Sequence, residues 1–233
     1  MATVVKTAVV LAGGEALRLK PHTSDRPKAM VMVAGKPLLE WIVDWLRRSG
    51  IRDIVMGVAF QKERVVEYFR DGSCFGVNIR YSVHSVEGGT AEGFRLAISR
   101  HVDDKVFLAM NGDELTDLDL HEFINFHLRS SPIATLAVTP LRSPFGVVDV
   151  VGDNVVSFRE KPVIETHLVS IGVYVFDRRI LEYLPEIGDI ERTAFPRLVR
   201  EGGLKAYRYN GFWMTVNTVK DLAEAERRLR RTA

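Results

Sequence analysis

The 233-residue sequence predicts an α/β fold: a mixed, mostly parallel central sheet with helices on both faces, and a smaller β-rich extension in the second half. Three observations predict it. Short apolar runs alternate with amphipathic segments through the first half, the order that builds parallel sheets. After Pro132 strand-like runs follow one another with little helix between them. Glycines and charged residues collect just past the ends of two apolar runs, where open α/β sheets bind ligands.

Taken in order, residues 7–12 form an apolar run that reads as a buried first strand. Pro37 suits the first turn of a helix. Leu38, Trp41, Ile42, Trp45 and Leu46 then repeat at helical spacing until Gly50, which supplies a left-handed cap. Strands are expected at 53–58, 78–83 and 105–110, and helices at 63–70, 90–100 and 120–128. The last of these carries Leu120, Phe123, Ile124 and His127 on one side. In the second half, strands are expected at 135–139, 147–151, 155–159 and 169–176, with a hairpin turn at Gly152-Asp153-Asn154. Helices at 179–184 and 191–201, a strand at 205–209 and a closing helix at 219–230 complete the chain. With no repeat and no linker, residues 1–233 are expected to form a single domain with functional halves at 1–130 and 131–233.

A hydrophobic content of 46% and a charged content of 27% suit a soluble globular protein. A net charge of +2 gives no reason to expect nucleic-acid or membrane binding, and no apolar run approaches membrane-spanning length. Cys74 is the only cysteine, which excludes an internal disulfide and a thiolate zinc cluster and fits a reducing compartment; a cytoplasmic location is expected. The apolar side chains of the final third suit either a homodimer or the core.

Four segments carry candidate chemistry. Residues 11–28, LAGGEALRLKPHTSDRPK, place Gly13 and Gly14 after the first strand and gather Arg18, Lys20, Arg26 and Lys28. Such a loop lets backbone N–H groups approach an anion, or is simply a basic surface loop. It matches neither the Walker pattern nor the dinucleotide fingerprint. Asn111-Gly112-Asp113 follows another apolar strand; its carboxylate suits Mg²⁺, or a solvated turn. Gly88-Gly89-Thr90-Ala91 opens a helix and would let a flat base approach the backbone. Glu160-Lys161-Pro162 pairs a group suited to sugar hydroxyls with one suited to phosphate, although this triplet ends many strands.

Together these segments resemble the sugar-1-phosphate nucleotidylyltransferases in their short, single-domain, Rossmann-like three-layer αβα form. The family motif L-A-G-G-x-G-T-R-L-x-P-x-T, then P-K, then G-K-P, is similar to the run from Leu11 to Thr23, Pro27-Lys28 and Gly35-Lys36-Pro37. The family's G-T-A matches Gly89-Thr90-Ala91, its G-D matches Gly112-Asp113, its E-K-P matches Glu160-Lys161-Pro162, and its G-x-Y-x-F matches Gly172 to Phe176. The resemblance implies transfer of a nucleoside monophosphate from a nucleoside triphosphate to a sugar 1-phosphate, with release of pyrophosphate. It implies catalytic roles for Arg18 and Lys28, and nucleotide binding by Leu11, Ala12, Gly13, Gly14, Gly89 and Thr90. Asn111, Glu160, Lys161, Gly172 and Tyr174 would bind the sugar phosphate, and Asp113 would hold Mg²⁺. Tyr174 and Trp213 also read as packing residues.

Mannose 1-phosphate with GTP is the leading expectation, because the short form is similar to guanylyltransferases of that kind; uridylyl, thymidylyl and cytidylyl transfer stay open. Two departures stand out. Ala16 and Leu17 replace a glycine and a threonine of the loop. Thr215 stands in Trp213-Met214-Thr215-Val216-Asn217-Thr218 where the family has its second metal-binding aspartate. Glu114 and Asn217 are the nearest alternative oxygens by sequence, and a non-catalytic sugar-nucleotide binder is the rival expectation.

Overall fold

The computed structural model of the chain describes residues 5–15, 19 and 26–230. The first strand, β1 (Thr7–Leu11), is followed by a small hairpin of β2 (Met32–Val33) and β3 (Lys36–Pro37), turned at Ala34 and Gly35, both with positive φ. Pro37 precedes α1 (Leu38–Arg48), and Gly50, at φ 87°, lies just past its end. Then come β4 (Asp53–Val58), α2 (Lys62–Phe69), β5 (Asn78–Val83), α3 (Gly89–His101), β6 (Val106–Asn111) and the short β7 (Glu114–Thr116). Asp119 caps α4 (Leu120–Ser130), its carboxylate accepting from the backbone N–H groups of His121 and Glu122. The second half holds β8 (Ala134–Arg142), β9 (Val147–Val151), β10 (Asn154–Arg159), β11 (Val163–Asp177), α5 (Ala194–Arg200), β12 (Leu204–Arg208), β13 (Trp213–Thr215) and α6 (Val219–Leu229).

The main sheet has seven strands in the order β12-β8-β11-β6-β1-β4-β5. The β1–β4, β1–β6, β4–β5 and β8–β12 pairs are parallel; β11 runs antiparallel to both β6 and β8. This is the mixed, mostly parallel sheet expected. Strand alternation divides the core between its two faces. Ala8, Val10, Ile54, Met56, Leu108 and Met110 meet α1, α2 and α4 on one face. Val9, Val55, Phe107, Ala109, Tyr174 and Phe176 meet α3 and α5 on the other. A third cluster joins α6 to β2, β7 and the start of α1 through Val33, Leu38, Leu115, Val216 and Leu222. Among the described residues no helix is long and apolar enough to cross a membrane.

Three local expectations change. The segment at 179–184 is a 3-10 turn at Arg178–Glu182, because the Asp177 carboxylate binds the backbone and side chain of Arg179 and holds the chain tightly there. The helix expected at 191 begins at Ala194. The strand expected at 169–176 is 15 residues long, extended at its start by pairing with the end of β8.

His127 on α4 is buried, its Nδ1 2.8 Å from Thr135 Oγ1. Burial pushes its pKa down to about 4; the Arg179 charge acts the same way and Asp177 opposes it. A group held neutral in the fold but protonated when unfolded destabilises as pH falls, here from about 6.5 towards 4. Melting curves of the wild type and His127→Gln at pH 7 and pH 4.5 test this. The wild type should lose more on acidification than the variant, and equal losses would refute the assignment.

Candidate active site

The parallel strands β1 and β6 end side by side, with Leu11 in register with Asn111. Both chains leave the sheet there, and a cavity of about 460 Å³ opens beyond them. Its lining joins segments far apart in sequence: Leu11 to Glu15, Lys28 and Ala29, His84 and Val86, Gly89 and Thr90, Asn111 to Asp113, and Asp189. Of the expected nucleotide and metal positions, Leu11, Ala12, Gly13, Gly14, Gly89, Thr90 and Asp113 all line it, as do Lys28 and Asn111. Arg18 lies outside the described residues, as do Ala16 and Leu17.

The two glycines of the loop have different reasons to be glycine. A Cβ on Gly13 would come within 2.8 Å of both Ala59 Cβ and His84 Nε2, so Gly13 is small because protein packs against it. A Cβ on Gly14 would meet nothing within 4 Å, so Gly14 is bordered by open space. Backbone bonds run from Ala12 N to Gly57 O (2.7 Å) and from Lys28 N to Gly14 O (3.0 Å), the latter joining residue 14 to residue 28. Gly112 N donates to Leu11 O at 2.7 Å, and a Cβ on Gly112 would lie 2.6 Å from that same oxygen. Gly112→Ala should therefore force the two strand ends apart. We expect a lower melting temperature and impaired ligand binding together; an unchanged melting temperature would show that the contact is easily relieved.

Gly89 has φ 71°, and a Cβ there would lie 2.5 Å from Gly188 O. Thr90 Oγ1 accepts from the backbone N–H of Ile190 at 2.9 Å and donates to Glu191 Oε2 at 3.0 Å. These contacts dock the 188–191 loop on the start of α3 and bring Asp189 to the cavity. Asp189 and His84 carry no sequence motif and were not anticipated. His84 Nδ1 faces Ser85 O at 2.9 Å, so Nδ1 is the donor; Nε2 is buried with no protein partner.

Lys28, 12% exposed, connects the loop to the opposite side of the site. Its ammonium pairs with Asp113 Oδ2 and donates to Asn217 Oδ1 at 2.5 Å. Asn217 Nδ2 in turn donates to Thr215 Oγ1 at 3.1 Å. The pairing of β7 with β13 places Thr215 opposite Glu114. Glu114 is buried and accepts from Trp213 Nε1 at 2.8 Å. Burial, aided by the Asp113 charge, pushes its pKa up to about 8, so at neutral pH it is mostly protonated. Gly172, at φ 71°, allows this approach: a Cβ there would lie 2.9 Å from Glu114 Cγ and 3.1 Å from Asn111 Nδ2.

Two cation-seeking oxygens, Asp113 Oδ2 and Asn217 Oδ1, therefore converge on one ammonium. This donor chemistry fits a hard divalent cation that takes one carboxylate and completes its shell with phosphate and water. Among the described residues no group of three or more His, Cys, Asp and Glu side chains could hold a metal ion.

The expected sugar-phosphate residues are only partly brought together. Glu160 and Lys161 are exposed, 3.5 Å from each other, and lie outside the cavity lining. Of the two readings of Tyr174, sugar contact or packing, the core position matches packing. Tyr174 is fully buried, stacked on Phe176 at 5.4 Å and set edge-on to Phe94 and Phe195, because β11 is covered on that face by α3 and α5. Trp213 likewise packs and bonds to Glu114.

The chain matches the model of the family described as Nucleotidyl transferase over residues 7–232. It is 34% identical to the UTP–glucose-1-phosphate uridylyltransferase of Synechocystis sp., over 94% of this chain and 62% of that protein. It is 32% identical to the mannose-1-phosphate guanylyltransferase of Mycobacterium tuberculosis, over 95% of this chain and 64% of that protein. The chain thus spans less than two thirds of the length of these relatives. The solved structure of HddC from Yersinia pseudotuberculosis complexed with GMP-PN superposes with a TM-score of 0.77 at 22% identity, covering 97% of this chain and all of that one.

Proposed function

Because the chain belongs to the nucleotidyl transferase family, we propose that it transfers a nucleoside monophosphate from a nucleoside triphosphate to a sugar 1-phosphate, releasing pyrophosphate. One observation carries this reading. Both glycine segments, Lys28 and Asp113 line a single cavity beyond the ends of β1 and β6. In this reading an oxygen of the sugar phosphate bonds to the α-phosphorus as the bond from that phosphorus to the pyrophosphate oxygen breaks. Two anions must be brought together, so positioning and charge neutralisation supply most of the rate.

Residues 11–14 and Gly89 seat the nucleotide, with open space beside Gly14 for close backbone approach. Thr90 acts indirectly, holding the 188–191 loop in place. Lys28 supplies a point charge for the reacting phosphate, and Arg18 grips the triphosphate. Asp113, with Asn217 beside it, holds Mg²⁺, which when bound supplies Lewis-acid polarisation of phosphate oxygens. Glu160 and Lys161 serve the sugar phosphate from the end of β10. The first half of the chain serves the nucleotide and the second half the sugar, in a protein we place in the cytoplasm.

Mannose 1-phosphate with GTP is the first pair to test. The mycobacterial relative is a guanylyltransferase for that sugar, and the Yersinia neighbour carries GMP-PN. The Synechocystis relative favours glucose 1-phosphate with UTP. Pyrophosphate release measured over a grid of nucleotides and sugar 1-phosphates tests the reading. Turnover with one pair identifies the substrates. Sugar-nucleotide binding with no release from any pair would make the chain a non-catalytic binder, as the neutral Thr215 would favour.

A further inference from the structure

The cavity crosses the end of the sheet from one face to the other. At one end Lys28 is bonded to Asp113 and to Asn217, just ahead of α6, on the side where α6 packs against the start of α1. At the other end Gly89 and Asp189 stand at the start of α3, which covers the opposite face. A carboxylate repels phosphate, so the phosphates of a nucleotide belong at the Lys28 end. A nucleotide lying across the sheet end then brings its base to Asp189.

Asp189 is braced for such a contact. Gly188 N donates to Gly88 O and Ala91 N donates to Gly188 O, both at 2.9 Å. The backbone oxygen of Asp189 accepts from the N–H groups of Arg192 and Thr193 at 3.1 Å and from Thr193 Oγ1 at 2.7 Å. Gly89 carries no side chain to cover the carboxylate; a Cβ there would lie 2.9 Å from Asp189 Oδ1. The fold makes no other use of this group. Helix α3 has no side-chain cap. Arg192 Nε is 3.8 Å from Oδ2, beyond hydrogen-bond reach. Among the described residues nothing donates a hydrogen bond to the Asp189 carboxylate. Leu11 and Val86 add apolar surface to the cavity lining, suited to the faces of a flat ring.

We propose that Asp189 selects guanine, its two carboxylate oxygens accepting from the ring N1–H and the exocyclic 2-amino group. This rests on the reading that a nucleoside triphosphate occupies the cavity, and adds which base it carries. A carboxylate only accepts hydrogen bonds, and can accept two side by side. Guanine alone among the common bases presents two adjacent donors on its Watson–Crick edge. Adenine and cytosine place a ring acceptor beside their amino group. Uracil and thymine flank a single N–H with two carbonyls. Each of these sets a lone pair against the carboxylate, which penalises the wrong base as well as rewarding the right one.

Titration calorimetry of the full chain with GTP, ITP, XTP and UTP, without sugar phosphate, tests the proposal. The wild type should bind GTP about 10–100-fold more tightly than ITP, which lacks the 2-amino group, the usual loss for one hydrogen bond to a charged group. Asp189→Asn offers one acceptor and one donor, which matches the N1–H and C2 carbonyl of xanthine. It should therefore prefer XTP over GTP, the reverse of the wild type. A structural role for Asp189 would weaken all four ligands together and reverse nothing. The melting temperature should be unchanged, because the loop is held through its backbone and Thr90. Equal wild-type affinity for GTP and ITP overturns the proposal, as does an asparagine variant that still prefers GTP over XTP. Pyrophosphate release with the same nucleotides and a set of sugar 1-phosphates separates the proposal from the transferase reading. Turnover with UTP and none with GTP would keep the transferase and remove guanine selection. Asp189-dependent GTP binding with no release from any pair would keep guanine selection and remove the transferase.

Discussion

Lys28→Ala is expected to lower kcat/KM for pyrophosphate release by about 10²–10³-fold, the usual cost of removing one preorganised charge from a transition state. The argument rests on where the ammonium sits. It lies at the cavity wall, mostly buried, held from two sides by Asp113 and Asn217. A cation so restrained needs little reorganisation to meet phosphate charge. The backbone of Lys28, which donates to Gly14 O, is untouched by the substitution. That backbone bond should therefore persist, and the fold should lose only on the order of 1 kcal/mol from the broken pair. Lys28→Arg keeps the charge but replaces a compact point donor by a planar fork, so partial activity is expected. Steady-state kinetics with matched melting curves check both. An alanine variant turning over within tenfold of the wild type would remove Lys28 from the mechanism.

Asp113→Asn should have a comparable or larger effect on turnover and the opposite effect on metal-free nucleotide binding. The substitution removes the cavity carboxylate that pairs with Lys28; Glu15 and Asp189 line the same cavity, and neighbouring Glu114 is buried with its pKa raised. Divalent-cation binding, measured with Mn²⁺ by titration calorimetry without substrates, should weaken strongly. Lys28 at the same time loses its counter-charge, so triphosphate should bind the metal-free variant more tightly than the metal-free wild type. These two binding results separate a metal-holding role from general damage, which would weaken both. Chelation should abolish wild-type turnover. Undiminished Mn²⁺ binding by the variant would place the cation elsewhere.

Much of the fold was legible because it rests on local periodicity. Residues 53–58, 78–83 and 147–151 are strands with the expected bounds. The helix after Pro37 begins and ends where its proline and glycine require. The least legible pieces were the two three-residue strands, β7 and β13, too short to carry a pattern. Their pairing sets Thr215 against Glu114 and brings Asn217 to Lys28, 189 positions away. Tyr174 shows the converse: its motif suggested a sugar contact, yet two helices cover the face of β11 on which it lies.

The sequence by itself determined the layers, the strand ends at which a site must form, and the segments Leu11–Gly14, Lys28 and Gly112-Asp113 that meet there, because each follows from spacing along a strand or from what glycine and charge do locally. Tertiary structure alone decided three things: that Gly13 is small to admit His84, that Asp189 enters the cavity, and that Asn217 shares Lys28 with Asp113. Each depends on distances between segments remote in sequence, set by how the helices and the 188–191 loop pack on the sheet, and no local pattern encodes such a distance.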